Sequence, residues 1–457
     1  MEWTLTAEFS VEVLTWLAVE HEAEAVRNTA GLLRILVGKE VATRVDDRWS
    51  QSARDHVLVS AYPLALWFAA SWWRLLSEST PPRRKPSNSW RMAHETAAAG
   101  GGFLWPRICL SSDGEGIDVY CWPSKTLATE PLRYLTSATT RIGRREFESV
   151  IEAFVILVLN RLDATGNANS ELQGLWKEVQ AERADPRMSV WRGLEARLGF
   201  DPGEGPEELV GRVESLVAEA GERAAEDVAS LCGAQGDPAV SLAQVVGLAH
   251  DTGGVRGRFE TALVPKGLSP TSGPPWERGR RLAQMVRERA GLKGDPILNP
   301  FLADLLGVPW EFIKDEKPDP RPPLGLAVRD SNSGNARIIL RNRHPSGRRF
   351  EAARLFVDHV LTAEGERWLP ATDARTARQR VQRAFAAELL APINSLRERL
   401  AEDFSDESIE DAAQHFGVSP LLVRSHLANN GLIPPDAVGS APFDLIPNPL
   451  ATSSLAH

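Results

Sequence analysis

Two histidine–glutamate dipeptides, His21-Glu22 and His94-Glu95, are the first residues whose types suggest hydrolytic chemistry. Zinc hydrolases set a second histidine four positions after the first, so that both imidazoles share one helical face and the glutamate activates water. Here the dipeptides continue Ala-Glu-Ala and Thr-Ala-Ala, so both histidines are expected to be ordinary surface residues. A site using His359 with His344 or His415 would need convergence from distant parts of the chain. The segment Ala98-Ala-Gly-Gly-Gly-Phe103 has neither a following Lys-Ser/Thr nor G-x-G-x-x-G spacing; it is read as a turn, not a phosphate loop. Cys109, Cys121 and Cys232 are odd in number and lack CxxC spacing, which points to a reducing compartment and away from a thiolate zinc module. No cofactor and no metal are expected.

The elements that must position any site follow from composition and periodicity. At 457 residues, 43% hydrophobic and 25% charged, the chain can build more than one core. A net charge of −9 argues against a broad basic face that coats nucleic acid. The N-terminus lacks the basic and apolar blocks of an export signal, and a cytoplasmic location is expected. The longest uncharged run, VLVSAYPLALWFAASWW between His56 and Arg74, contains Pro63 and reads as a buried strand over 57–61 followed by a buried helix from Leu64, not as a membrane span.

Residues 1–135 give a mixed α/β, Trp-rich domain with strand-like runs at 32–41, 55–61 and 116–122. Its tryptophans, among them Trp67, Trp72, Trp73, Trp90, Trp105 and Trp122, are read as core before a base-stacking surface. Arg83-Arg84-Lys85 is read as part of a solvated loop. Residues 140–262 give a helical domain, with periodic stretches at 146–162, 170–183, 191–198 and 206–231. The Pro/Gly/Ser stretch 265–275 reads as a linker, so limited proteolysis there is expected to release a folded fragment beginning near Trp276. Residues 276–435 form the third domain, and 436–457 a loose tail. The fold class is therefore multidomain α+β.

The third domain reads as an amphipathic helix 277–290, a short helix 300–306, a segment 308–313, strands 325–330 and 336–342 joined by a five-residue loop, a helix 348–361, a loop, a helix 376–390 and a final helical pair. In that pair Ala413, Gly417, Ser419 and Pro420 have helix-turn-helix spacing, with Arg424 and His426 as candidate nucleic-acid contacts. Packing within the domain is the favoured reading of the pair.

Four stretches carry a family resemblance: Arg280 to Gly291, Ile338-Ile-Leu-Arg-Asn342, Phe350 to His359, and Phe385-Ala-Ala-Glu-Leu-Leu-Ala-Pro392. Over about 160 residues, 276–435, the chain resembles the ImmA/IrrE family of zinc metallopeptidases, which accompany mobile elements, phage repressors and stress responses. The resemblance implies a zincin-like α+β domain whose helix carries Phe-x-x-Ala-His-Glu-x-x-His. Starting from Phe350 and Ala353, those metal and base positions hold Arg354, Leu355 and Asp358. The family's further carboxylate ligand falls in Gln379-Arg-Val-Gln-Arg383, which has no acid. A guanidinium cannot ligate zinc and a leucine cannot accept a proton. Arg354 and Asp358, four apart on one helix, are expected to pair with each other.

The resemblance and its lost motif imply a cytoplasmic prokaryotic regulatory or interaction protein, linked to mobile elements, stress or phage defence, that recognises a protein partner and leans away from being an enzyme. The alternatives are an active zinc metallopeptidase with an atypical site, and a DNA-binding regulator using Arg424 and His426.

Overall fold

The computed structural model describes residues 8–20, 23–48, 50–82, 86–124, 132–264, 273–315, 321–330, 334–363 and 365–434. The linker residues 265–272, the Arg83-Arg84-Lys85 cluster, His21-Glu22 and the tail 436–457 lie outside them. The chain is multidomain α+β and forms two compact units, residues 1–80 with 85–206, and 81–84 with 207–457. The helices of the expected 140–262 domain are thus shared out, those up to Arg197 in the first unit and those from Glu207 in the second.

The first unit has three small antiparallel sheets. In one, Ala30–Val37 pairs with Phe9–Trp16, with Glu40–Val41 and with Val57–Ser60. The single run expected over 32–41 is broken because Gly38 takes φ +60. In the second sheet Gly116–Trp122 lies between Arg107–Ser112 and Ala138–Gly143. The apolar run after His56 becomes the strand Val57–Ser60 and the helix Tyr62–Ala70, which begins two residues earlier than expected and carries Pro63 in its first turn, where the missing N–H costs nothing. Among the described residues no helix is long and apolar enough to cross a membrane. Trp67, Trp72, Trp73, Trp90 and Trp105 are buried, so they are core and form no stacking platform.

His94 corrects the expectation of a surface residue. Ser87 caps the helix Asn88–His94 by accepting from Trp90 N, and the helix buries His94 completely. Its ring stacks on Trp90 at 4.2 Å, with Nδ1 at 2.8 Å from Leu110 O and Nε2 at 3.1 Å from Glu78 Oε2. Arg74 Nε donates to the same Glu78 oxygen at 2.6 Å. A buried polar cluster, fully engaged, holds this helix to the sheet behind it.

The second unit is built on one four-stranded antiparallel sheet ordered Val255–Gly257, Ala336–Ile339, Gly325–Arg329, Trp368–Ala371. The expected hairpin is present, with strands Gly325–Arg329 and Ala336–Ile339 paired so that Leu326 lies opposite Ile339; the second strand ends three residues earlier than expected. Both outer strands escaped the sequence reading. Trp368–Ala371 contains Pro370, which an edge strand tolerates but which breaks the strand signal. Val255–Gly257 lies upstream of the linker and pairs with Ala336–Ile338. The stretch read as one helix over 206–231 is two, Glu207–Ala220 and Glu222–Gly233, because Gly221 adopts φ +102. A further helix, Pro238–His250, was not anticipated.

Helix Pro275–Arg289 packs along helix Ala377–Leu390 at close range: a Cβ on Gly279 would stand 2.4 Å from Val381 O. Arg287 Nη1 bonds Leu389 O at 2.5 Å, and Gln284 Nε2 bonds Glu388 Oε1 at 2.9 Å. Helix Pro345–Leu361 crosses the sheet, with Leu355, Phe356 and Val357 fully buried.

A fragment beginning near Trp276 would leave behind a strand of its own sheet, so release of a free folded piece is no longer expected. If a specific protease site is built into 266–272 and cut, the two pieces should co-elute in native size-exclusion chromatography. Their separation without denaturant would show that the Val255–Gly257 pairing and the contacts of helix Glu222–Gly233 do not hold them.

Candidate functional site

Helix Pro345–Leu361 places Arg354, Leu355 and Asp358 against helix Ala377–Leu390 and the loop 372–376, all three buried. Leu355 enters the apolar core beside Phe356 and Phe385. The two charged residues point to different partners, and the expected Arg354–Asp358 pair does not form. Arg354 Nη2 donates to Thr372 O and to Gln379 Oε1, each at 2.5 Å. Asp358 is instead gripped in bidentate fashion by Arg378, with Nε to Oδ1 at 2.7 Å and Nη2 to Oδ2 at 2.8 Å. The planar fork of Arg378 matches both carboxylate oxygens at once.

Gln379 is the centre of the arrangement. Thr376 caps helix Ala377–Leu390 by accepting from Gln379 N, which brings the side chain of Gln379 to the first turn. Its Oε1 accepts from Arg354 and from Thr372 N at 2.9 Å, and its Nε2 donates to Asp227 Oδ2 and Pro370 O, both at 2.8 Å. Two donors and two acceptors exhaust what a side-chain amide can do.

Asp227 is the residue that sequence reasoning missed. It stands on helix Glu222–Gly233, far upstream, and is 2% exposed. Besides Gln379 it accepts from Thr376 Oγ1 at 2.5 Å, and Arg378 Nε lies 3.7 Å away. Burial pushes its carboxyl above the usual range, against the pull of Arg378 and the two hydrogen bonds. One signal was available: Asp227 falls on the apolar stripe with Ala224 and Leu231, where an acid has no reason to be unless partnered. Glu366 completes the join, its oxygens accepting from Arg223 N and Ala224 N at the start of the same helix.

The donor set does not suit zinc. Among the described residues no three His, Cys, Asp or Glu side chains converge as a metal-ligand group. His344 and His415 are exposed, and His359 stacks on Phe259 at 4.2 Å while its Nδ1 receives Arg329 Nε. Burial and then the Arg329 charge push the His359 imidazole down to about 4, so it stays neutral at ordinary pH. Both oxygens of Asp227 and of Asp358 are engaged, which leaves neither carboxylate poised as a general base. What the cluster does chemically is hold position.

The helical pair at the end has the expected spacing, Asp406–Phe416 and Pro420–Asn429, with Gly417 at φ +63 and Ser419 accepting from Leu422 N. Its candidate nucleic-acid residues are turned to other uses. His426 is buried, Nε2 at 3.2 Å from Glu388 Oε2, and Arg424 Nη2 bonds Asp406 Oδ1 at 2.6 Å. Burial alone would raise the Glu388 carboxyl, but the hydrogen bond and charge of His426 hold it below its ordinary value.

Comparisons with protein-family models, with curated proteins and with solved structures find no match to this chain.

The geometry predicts a definite pattern of coupling. In denaturant unfolding of the second unit, a double-mutant cycle of Asp358→Asn with Arg378→Met should show coupling of about 1–3 kcal/mol. The cycle of Arg354→Met with Asp358→Asn should be additive within about 0.5 kcal/mol. The reverse ranking would restore the intrahelical pair.

Proposed function

We propose that this chain is a cytoplasmic prokaryotic regulatory or interaction protein whose C-terminal region keeps a metallopeptidase-like scaffold in order to recognise a protein partner, without cutting it. The observation that carries the reading is what stands at the family's metal and base positions. Arg354, Leu355, Asp358 and Gln379 are all buried. Arg354, Asp358 and Gln379 are bonded to other protein groups, and Leu355 is packed in the core. A scaffold whose former reaction centre is closed by its own side chains can present surfaces but has no activated water to deliver. The resemblance further suggests a place in mobile-element, stress or phage-defence biology. Burial of His426 and the engagement of Arg424 by Asp406 favour this reading over DNA contact through the helical pair.

Two measurements on the purified full-length protein test it together. Elemental analysis after mild dialysis should find far less than one zinc per chain, and incubation with unstructured protein substrates plus added zinc should give no cleavage. Near-stoichiometric zinc, or cleavage abolished by a chelator, would overturn the proposal in favour of an atypical peptidase.

A further inference from the structure

The C-terminal turns of helix Pro238–His250 and the segment that leads into strand Gly325–Arg329 enclose an open cleft of about 420 Å³, lined by Gln244, Gly247, Leu248, Asp251, Arg321 and Pro323. That volume lies in the range of small-molecule sites. The helical wall is tied to the sheet by Arg337 of strand Ala336–Ile339, which donates to Ala249 O and, at 3.1 Å, to Gly253 O. Gly247 stands inside this helix, where a glycine costs stability relative to alanine. No packing contact calls for it, because a Cβ there would meet nothing within 4 Å. What the missing side chain provides is room in the cleft.

The cleft gathers opposite charges without letting them cancel. Asp251 N bonds Gly247 O at 2.9 Å, which sets the Asp251 carboxylate at the end of the helical wall. Its Oδ1 accepts from Gly253 N at 3.2 Å, and among the described residues Oδ2 has no partner. Gln244 and Arg321 are exposed, and among the described residues neither side chain bonds another protein group. The other ionisable groups at this helix end are already engaged: His250 Nε2 lies 2.7 Å from Glu219 Oε1, and Arg337 is spent on the carbonyls. Leu248 and Pro323, both half-buried, supply apolar surface.

We infer that this cleft binds a zwitterionic α-amino acid with an aliphatic side chain. Arg321 takes its carboxylate, Asp251 its ammonium, and the Gln244 amide adds a donor and an acceptor, while Leu248 and Pro323 cover the side chain. A ligand carrying one charge alone would leave the opposite group of the cleft unanswered. The site shares no residue with the Gln379 network and goes beyond the partner-recognition reading, which does not depend on it.

The test is titration of L-leucine into the full-length protein, followed by calorimetry and thermal unfolding. A saturable heat and a rise in Tm are expected. N-acetyl-L-leucine, which lacks the ammonium, and isoamylamine, which lacks the carboxylate, should each bind about tenfold or more weaker, as loss of one charge-assisted contact requires. Arg321→Gln, a change at an exposed side chain, and Asp251→Asn, which keeps the acceptor for Gly253 N, should each weaken L-leucine binding by a similar factor. Gly247→Leu should abolish it by filling the cleft; should that variant fail to fold, the Arg321→Gln result decides alone. No saturable binding, an equal response to either analogue, or a Kd unchanged in Arg321→Gln would overturn the site.

Discussion

The fully buried side-chain amide of Gln379 makes four hydrogen bonds, and the second unit is organised around them. Each bond leads to a different element: Arg354 on one helix, Thr372 in the following loop, Pro370 on the edge strand, Asp227 on a helix from before the linker. A buried amide that lost any one of these would keep an unsatisfied donor or acceptor at a cost of about 1–3 kcal/mol. The amide therefore fixes register among pieces that local sequence does not bring together.

Charge is handled in the same manner. Buried arginines of this unit are repeatedly spent on backbone carbonyls: Arg287 on Leu389 and Asp295, Arg348 on Asn342, Arg349 on Gly417 and Ile297. Such a guanidinium ties a loop down with several donors while its charge stays incompletely balanced, which burial penalises; Arg349 is pushed down to about 10 by burial alone. Arg378 is the contrasting case. Its partners Asp358, Asp227 and Glu366 outweigh burial and hold it above its ordinary value.

How much of this was legible depended on range. Caps and turns are local, so Thr376, Ser419 and Gly417 were readable as they stand. The hairpin strands and most of the long helices followed from periodicity. Partner choice is not local. Arg354 and Asp358 have ideal spacing to pair, yet Arg378 outcompetes Arg354 because it approaches from the facing helix with both nitrogens aligned. Strand Trp368–Ala371 was hidden by its proline, and Val255–Gly257 by its brevity. The break at Gly221 was overlooked because the apolar spacing continues through it. Glu366 occupies the space where a side chain at 221 would lie, its Oε2 2.5 Å from a Cβ placed there.

The central claim is that Gln379 joins Asp227, on a helix upstream of residue 265, to Arg354, Thr372 and Pro370 in one buried network on which the second unit depends. Unfolding of full-length Asp227→Ala by denaturant, followed by a signal from the second unit, tests it most directly. Loss of about 3–5 kcal/mol is expected, because Gln379, Thr376 and Arg378 would each lose a buried acceptor or counter-charge. A loss below about 0.5 kcal/mol, the size of an ordinary surface substitution, would contradict the account.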